Sequence, residues 1–163
     1  MARPLNVLFL CTHNSARSVL AECLLNHLGG GRFHAFSAGS QPSGRVNPFA
    51  LQALEEQGMD TSGVRSKAWD EFAADGAPTM DLIITVCDSA AGENCPVWPG
   101  HPATAHWGYA DPSAVSGSDA AKLTAFRDTL ALMRRRLEIL VAMPDERLHA
   151  LALEQTARDL ASH

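Results

Sequence analysis

No run in this 163-residue sequence approaches the ~20 consecutive apolar residues that a helix needs to cross a bilayer. The apolar segment Leu5-Asn6-Val7-Leu8-Phe9-Leu10 is short and leads directly into polar residues, so it does not read as a signal peptide. A cytoplasmic location, where thiols stay reduced, is the expectation. Basic residues are scarce: 13 Lys and Arg against 18 Asp and Glu leave a formal charge of −5, and no nucleic-acid or membrane partner is expected. The one basic cluster, Arg134-Arg135-Arg136, falls inside a periodic helix and is expected on its solvated face. No close Cys-x-x-Cys pair occurs, and His101 and His106 stand apart, so no metal site is expected. The Gly-Lys-Ser/Thr ending of a nucleotide-binding phosphate loop is missing too. An anion held by so acidic a chain needs a local device.

The length and an apolar content of 46% suit one α/β domain with one core spanning residues 1–163. Leu5 to Leu10 reads as a buried parallel strand, and from Ser18 the pattern turns helical up to Gly29-Gly30-Gly31. Phe33 to Ala38 is a second strand. Asn47-Pro48 starts a helix with an Asn cap, its stripe formed by Phe49, Leu51 and Leu54. Trp69 and Phe72 anchor a short helix. Leu82 to Val86 is the clearest strand, and Thr104 to Trp107 a short last one. A long helix runs from Asp119 to Val141, capped by Ser118. Residues 144–163 read as a charged helical extension. Strands alternating with helices imply a parallel sheet covered on both faces, with ligands beyond the carboxyl ends of its strands. Loops opening at Cys11 and at Cys87 both follow strands and converge on that edge.

The run Cys11-Thr12-His13-Asn14-Ser15-Ala16-Arg17-Ser18 begins where the first strand ends and the first helix starts. Main-chain N–H groups in such a loop, with the unpaired donors of the first helical turn, form a nest for a tetrahedral oxyanion. Arg17 adds a planar fork for two of the anion's oxygens. The same field should favour the thiolate of Cys11, and Ser18 can donate to it. Asn14 tolerates left-handed geometry and braces the loop, and His13 can share that role. Cys23 reads as helix packing.

This run, with Ala21-Glu22, Ser37-Ala38-Gly39-Ser40, Val46-Asn47-Pro48, Thr85-Val86-Cys87-Asp88, Cys95-Pro96-Val97-Trp98-Pro99-Gly100 and His106-Trp107-Gly108 up to Asp111-Pro112, resembles the low-molecular-weight tyrosine phosphatases and the arsenate reductases that share their fold. The resemblance implies a three-layer α/β sandwich around a four-stranded parallel sheet. It implies Cys11 as nucleophile, the Thr12–Ser18 loop as oxyanion cradle, and Asp111 as the acid that protonates the leaving oxygen. It further implies Cys87 and Cys95 as shuttle cysteines: Cys87 attacks the arsenic-bearing thiol, Cys95 attacks the Cys11–Cys87 bond, and a Cys87–Cys95 disulfide passes to an external thiol reductant, thioredoxin or glutathione with glutaredoxin. No tightly bound cofactor is implied.

Two departures bear on the choice of activity. Phosphatases of this fold usually carry tyrosines just after the Asp-Pro, where this chain has Ser113-Ala114. Some related reductases hold potassium with Asn, Glu, Ser and Asp. Asn14, Glu22 and Ser37 match three of these, while Lys67 stands at the fourth, where an ammonium can replace the cation. Arsenate reduction is the leading expectation. A tyrosine phosphatase or small phosphomonoesterase is the alternative, and a non-catalytic oxyanion binder the third reading.

Overall fold

The computed structural model describes residues 4–74, 76–86 and 103–144. The chain runs β1 (Leu5–Cys11), α1 (Arg17–Leu28), β2 (Phe33–Gly39), α2 (Pro48–Glu56), α3 (Asp70–Ala73), β3 (Leu82–Thr85), β4 (Ala103–His106) and α4 (Asp119–Val141), with a 3-10 turn at Pro112–Ala114. The strands form one parallel sheet in the order β2-β1-β3-β4, with Cys11 opposite Gly39 and Leu10 opposite Thr85. After β1 the chain moves to one side for β2 and to the other for β3. The carboxyl end of β1, and thus Cys11, lies at the point where strand order reverses, which is where open parallel sheets leave a crevice.

The pleat of β1 explains the layers. Val7, Phe9 and Cys11 face a core shared with α1, α2 and α4, whereas Leu8 and Leu10 face Trp69, Phe72, Met80 and Ile83. Phe9 is fully buried, and each such side chain contributes about 1.5–3 kcal/mol by leaving water. This is the three-layer α/β arrangement the sequence implies. Helix starts follow local chemistry: Asn47 Oδ1 accepts from the Phe49 N–H, and Ser118 Oγ from the Ala121 N–H.

Two local expectations change. In α2 the buried positions are Ala50, Ala53 and Leu54, with Phe49 and Leu51 only half-buried, because small residues let α2 approach its helical neighbours closely. In α4 Arg136 is half-buried: its guanidinium lies 5.8 Å from the Trp107 ring centroid and 5.0 Å from that of Tyr109. Stacking on aromatic faces draws it off the solvated face. Among the described residues no helix is long and apolar enough to cross a membrane. Of the helical extension expected at 144–163, all but residue 144 lies outside the described residues, as do Cys87, Cys95 and the loop between them.

Candidate oxyanion site

The loop between β1 and α1 is held from outside through its carbonyl groups. Thr12 O accepts from the Gln41 N–H at 2.9 Å, His13 O from the Ser43 N–H at 3.0 Å and Ser66 Oγ at 3.0 Å, and Ser15 O from the Asn47 N–H at 2.8 Å. Ala16 O accepts from Leu20 within the helix. In a trans peptide the N–H points opposite its carbonyl, so the N–H groups of His13, Asn14, Ala16 and Arg17 are directed away from these outer partners. Helix α1 then begins without a side-chain cap and without an acidic residue in its first turn. Its first turn and the positive end of its dipole suit an anion.

Asn14 is fully buried at φ 48°, the left-handed region that Asn tolerates better than most residues. Its Nδ2 donates to Ser18 Oγ at 2.8 Å and to Ser37 Oγ at 2.9 Å, while its Oδ1 accepts from the Lys67 N–H at 2.9 Å. Because Ser18 accepts from Asn14, its own O–H is left to donate elsewhere. The loop also rests against Gly39, where a methyl group would sit 2.8 Å from Cys11 O, 3.0 Å from Asn14 N and closer still to Thr12 O. Gly39→Ala is therefore expected to destabilise the fold by about 2–4 kcal/mol through a backbone clash that no rotamer relieves. Urea denaturation of the two proteins checks this.

Cys11 is buried at 6% exposure. Arg17, the first residue of α1, reaches across to the segment after β4. Its Nη1 donates to Tyr109 O at 2.8 Å and its Nη2 lies 3.6 Å from Asp111 Oδ2. Arg17 Nε is buried and has no hydrogen-bond partner among the described residues. A buried guanidinium N–H without a partner is costly, and an oxyanion between loop and arginine would satisfy it. Asp111 is itself held: its Oδ1 accepts from the Ser113 N–H at 2.9 Å and Ser113 Oγ at 2.6 Å, which turns Oδ2 toward Arg17. Burial pushes the Tyr109 phenol up, against an opposing pull from Arg136.

Beside the loop lies a buried charged cluster. Ser37 Oγ donates to Glu22 Oε1 at 2.7 Å, and Lys67 Nζ lies 3.7 Å from the same oxygen. Lys67 Nζ also donates to Arg65 O at 2.8 Å and stands 3.5 Å from Ser37 Oγ. Lys67 and Glu22 are 8% and 14% exposed. Burial lowers the Lys67 ammonium from its ordinary value, and the Glu22 carboxylate partly offsets that. Cys23, on the core side of α1, is pushed up to about 12, first by burial and then by Glu22, and stays protonated.

Of the site residues expected from sequence, the structure brings together Cys11, the Thr12–Ser18 loop, Arg17 and Asp111, with Glu22, Ser37 and Lys67 alongside. His13 is exposed, its Nδ1 3.3 Å from Gln41 O. Sequence reasoning missed Ser113, the Tyr109 carbonyl, and the Gln41, Ser43 and Ser66 contacts that hold the loop. The Asp-Pro-Ser turn was a readable signal for Ser113, since Asp side chains accept from the N–H two residues on. The others depend on tertiary placement.

The model of the family described as low molecular weight phosphotyrosine protein phosphatase matches residues 6–154. This chain belongs to that family. Among its relatives within the family, the arsenate reductase of Bacillus subtilis (strain 168) is 36% identical over 121 residues, covering 74% of this chain and 84% of its own. The crystal structure of an arsenate reductase from Archaeoglobus fulgidus superposes with a TM-score of 0.65 at 31% identity, covering 84% of this chain and 99% of that one. An arsenate reductase in its oxidised state gives a TM-score of 0.67 at 32% identity, covering 84% and 96%.

Proposed function

We propose that the protein is an arsenate reductase that works by thiol chemistry. The buried Nε of Arg17, without a partner among the described residues, beside a loop whose Thr12, His13, Ser15 and Ala16 carbonyls are engaged elsewhere, is the observation that carries the oxyanion site. The relatives named as arsenate reductases support arsenate as its substrate.

In this reading arsenate binds between the Thr12–Ser18 loop and Arg17, and the Cys11 thiolate attacks arsenic. One arsenic oxygen leaves as water, taking a proton from Asp111 Oδ2, the oxygen that Ser113 leaves unoccupied. Ser18 donates to the Cys11 sulfur. The Cys87 thiolate then attacks the Cys11 sulfur, the electron pair of the sulfur–arsenic bond passes to arsenic, and arsenite is released. Cys95 attacks Cys87, returning Cys11 as thiolate and leaving a Cys87–Cys95 disulfide. An external dithiol, thioredoxin or glutathione with glutaredoxin, restores both thiols, which fits a cytoplasmic protein. Closing a loop of eight residues costs little entropy. The single phosphatase-like domain, residues 1–163, carries every group in this reaction, with residues 144–163 as its C-terminal helical extension.

The experiment is a single turnover. Reduced protein is mixed with arsenate without any reductant, and the thiols are mapped by mass. One arsenite per protein and a Cys87–Cys95 bridge are expected. Full thioredoxin-linked turnover by Cys95→Ala would remove the last step. Cys11, Arg17 and Asp111 alone suffice for phosphomonoester hydrolysis through a phosphocysteine, so rapid cleavage of aryl phosphates without arsenite release would instead make the protein a phosphatase.

Lys67 serves in this reading as a built-in cation for the Glu22–Ser37–Asn14 cluster. Lys67→Met leaves the buried Glu22 carboxylate without its counter-charge and is expected to cost about 2–4 kcal/mol. Potassium should recover part of that loss in the variant and change nothing in the native protein. Urea denaturation in potassium and in sodium buffers distinguishes the two.

A further inference from the structure

The segment that follows β4 presents two groups to Arg17, the Tyr109 carbonyl at 2.8 Å and the Asp111 carboxylate at 3.6 Å. It is tied to the sheet by the Trp107 N–H donating to Thr85 O and the Tyr109 N–H to Val86 O. Trp107 is buried and Tyr109 half-buried against the main core. The Arg136 guanidinium of α4 lies over both rings, 5.8 Å from the Trp107 centroid and 5.0 Å from that of Tyr109. The two arginines thus meet on one short segment, Arg17 at its main chain and Arg136 at its aromatic faces.

We infer that Arg136 is a positioning residue for the oxyanion site: by stacking on Trp107 and Tyr109 it fixes the carbonyl and carboxylate that aim Arg17. This rests on the reading of Arg17 as the oxyanion's ligand. A guanidinium over two aromatic faces in a partly desolvated setting holds the segment with an interaction that a neutral side chain of similar length does not supply. A shift of Tyr109 O by a fraction of an ångström rotates the Arg17 fork, because the contact is made at one of its two terminal nitrogens. The consequence falls on anion affinity rather than on the thiol.

Titration of reduced protein with inorganic phosphate tests this. Arg136→Met, which keeps the apolar stem, is expected to weaken phosphate binding about tenfold, and Arg136→Lys to recover part of the loss. A double-mutant cycle with Arg17→Lys distinguishes positioning from general support: the Arg136→Met loss should shrink to less than twofold once Arg17 is replaced. Arg136→Gln is read in the same way should the Met variant fail to fold. Native-like phosphate binding by these variants, or an undiminished loss in the Arg17→Lys background, overturns the inference. Failure of the native protein to bind phosphate would instead overturn the oxyanion site itself.

Discussion

Cys11→Ser is expected to lower arsenite production by on the order of 10⁴-fold or more while leaving phosphate affinity within about threefold of native. The two effects separate because they arise from different atoms. In the proposed reading affinity comes from the loop N–H groups, the first turn of α1 and the Arg17 fork, none of which contains the Cys11 sulfur. Chemistry is proposed to come from the Cys11 sulfur acting as nucleophile beside those donors. A serine hydroxyl in the same field remains protonated, since its starting acidity is many orders of magnitude weaker than a thiol's. The variant should also fold normally, because it exchanges one small buried side chain for another and Asn14, Gly39 and the outer carbonyl contacts are untouched. Arsenite release and calorimetric titration with phosphate measure the two quantities independently. Parallel loss of binding and turnover would mean that the sulfur shapes the loop rather than attacking the anion.

Arg17→Lys is expected to reduce kcat/KM for arsenate by about 10²–10³, equivalent to about 3–4 kcal/mol, although the charge is conserved. The arginine performs three tasks at once. Nη1 donates to Tyr109 O, Nη2 faces Asp111, and the buried Nε is proposed to meet the ligand. A lysine has a single nitrogen at the end of a flexible stem and cannot sustain all three. It either pairs with Asp111 or points at the anion. Steady-state kinetics on arsenate should show both KM and kcat changed, since the substitution loosens the anion and frees the Asp111 carboxyl proposed to protonate the leaving oxygen. A change confined to KM would confine Arg17 to ground-state binding.

How far the sequence discloses such a site depends on how local each contribution is. Cys11, Asn14 and Arg17 are readable because one strand end, one loop and one helix start carry them, all within seven residues. The apolar β1 and β3, and the caps at Asn47 and Ser118, follow from chemistry within a few positions of each element. Strand order was not readable, because parallel pairing joins segments far apart in the chain. Gly39 could be quoted as part of a family pattern, but its physical reason appears only when β2 lies against the Cys11 loop and leaves no room for a Cβ. Lys67 and Glu22 are distant in sequence, and their shared burial against Ser37 is a tertiary fact. Arg136 was misplaced for the same reason: helical periodicity puts it near the polar face, while the rings of Trp107 and Tyr109, supplied by another part of the chain, draw it inward.

In the proposed mechanism Cys11 is a thiolate in a preformed oxyanion cradle closed by Arg17. The most direct test is the pH dependence of Cys11 alkylation in reduced protein, followed residue by residue by mass, with and without phosphate. Rapid modification of Cys11 is expected at neutral pH and below, strongly slowed by millimolar phosphate, with Cys23 unreactive. Modification of Cys11 that rises only near the ordinary thiol range of roughly 8.5, and that phosphate does not slow, would contradict it.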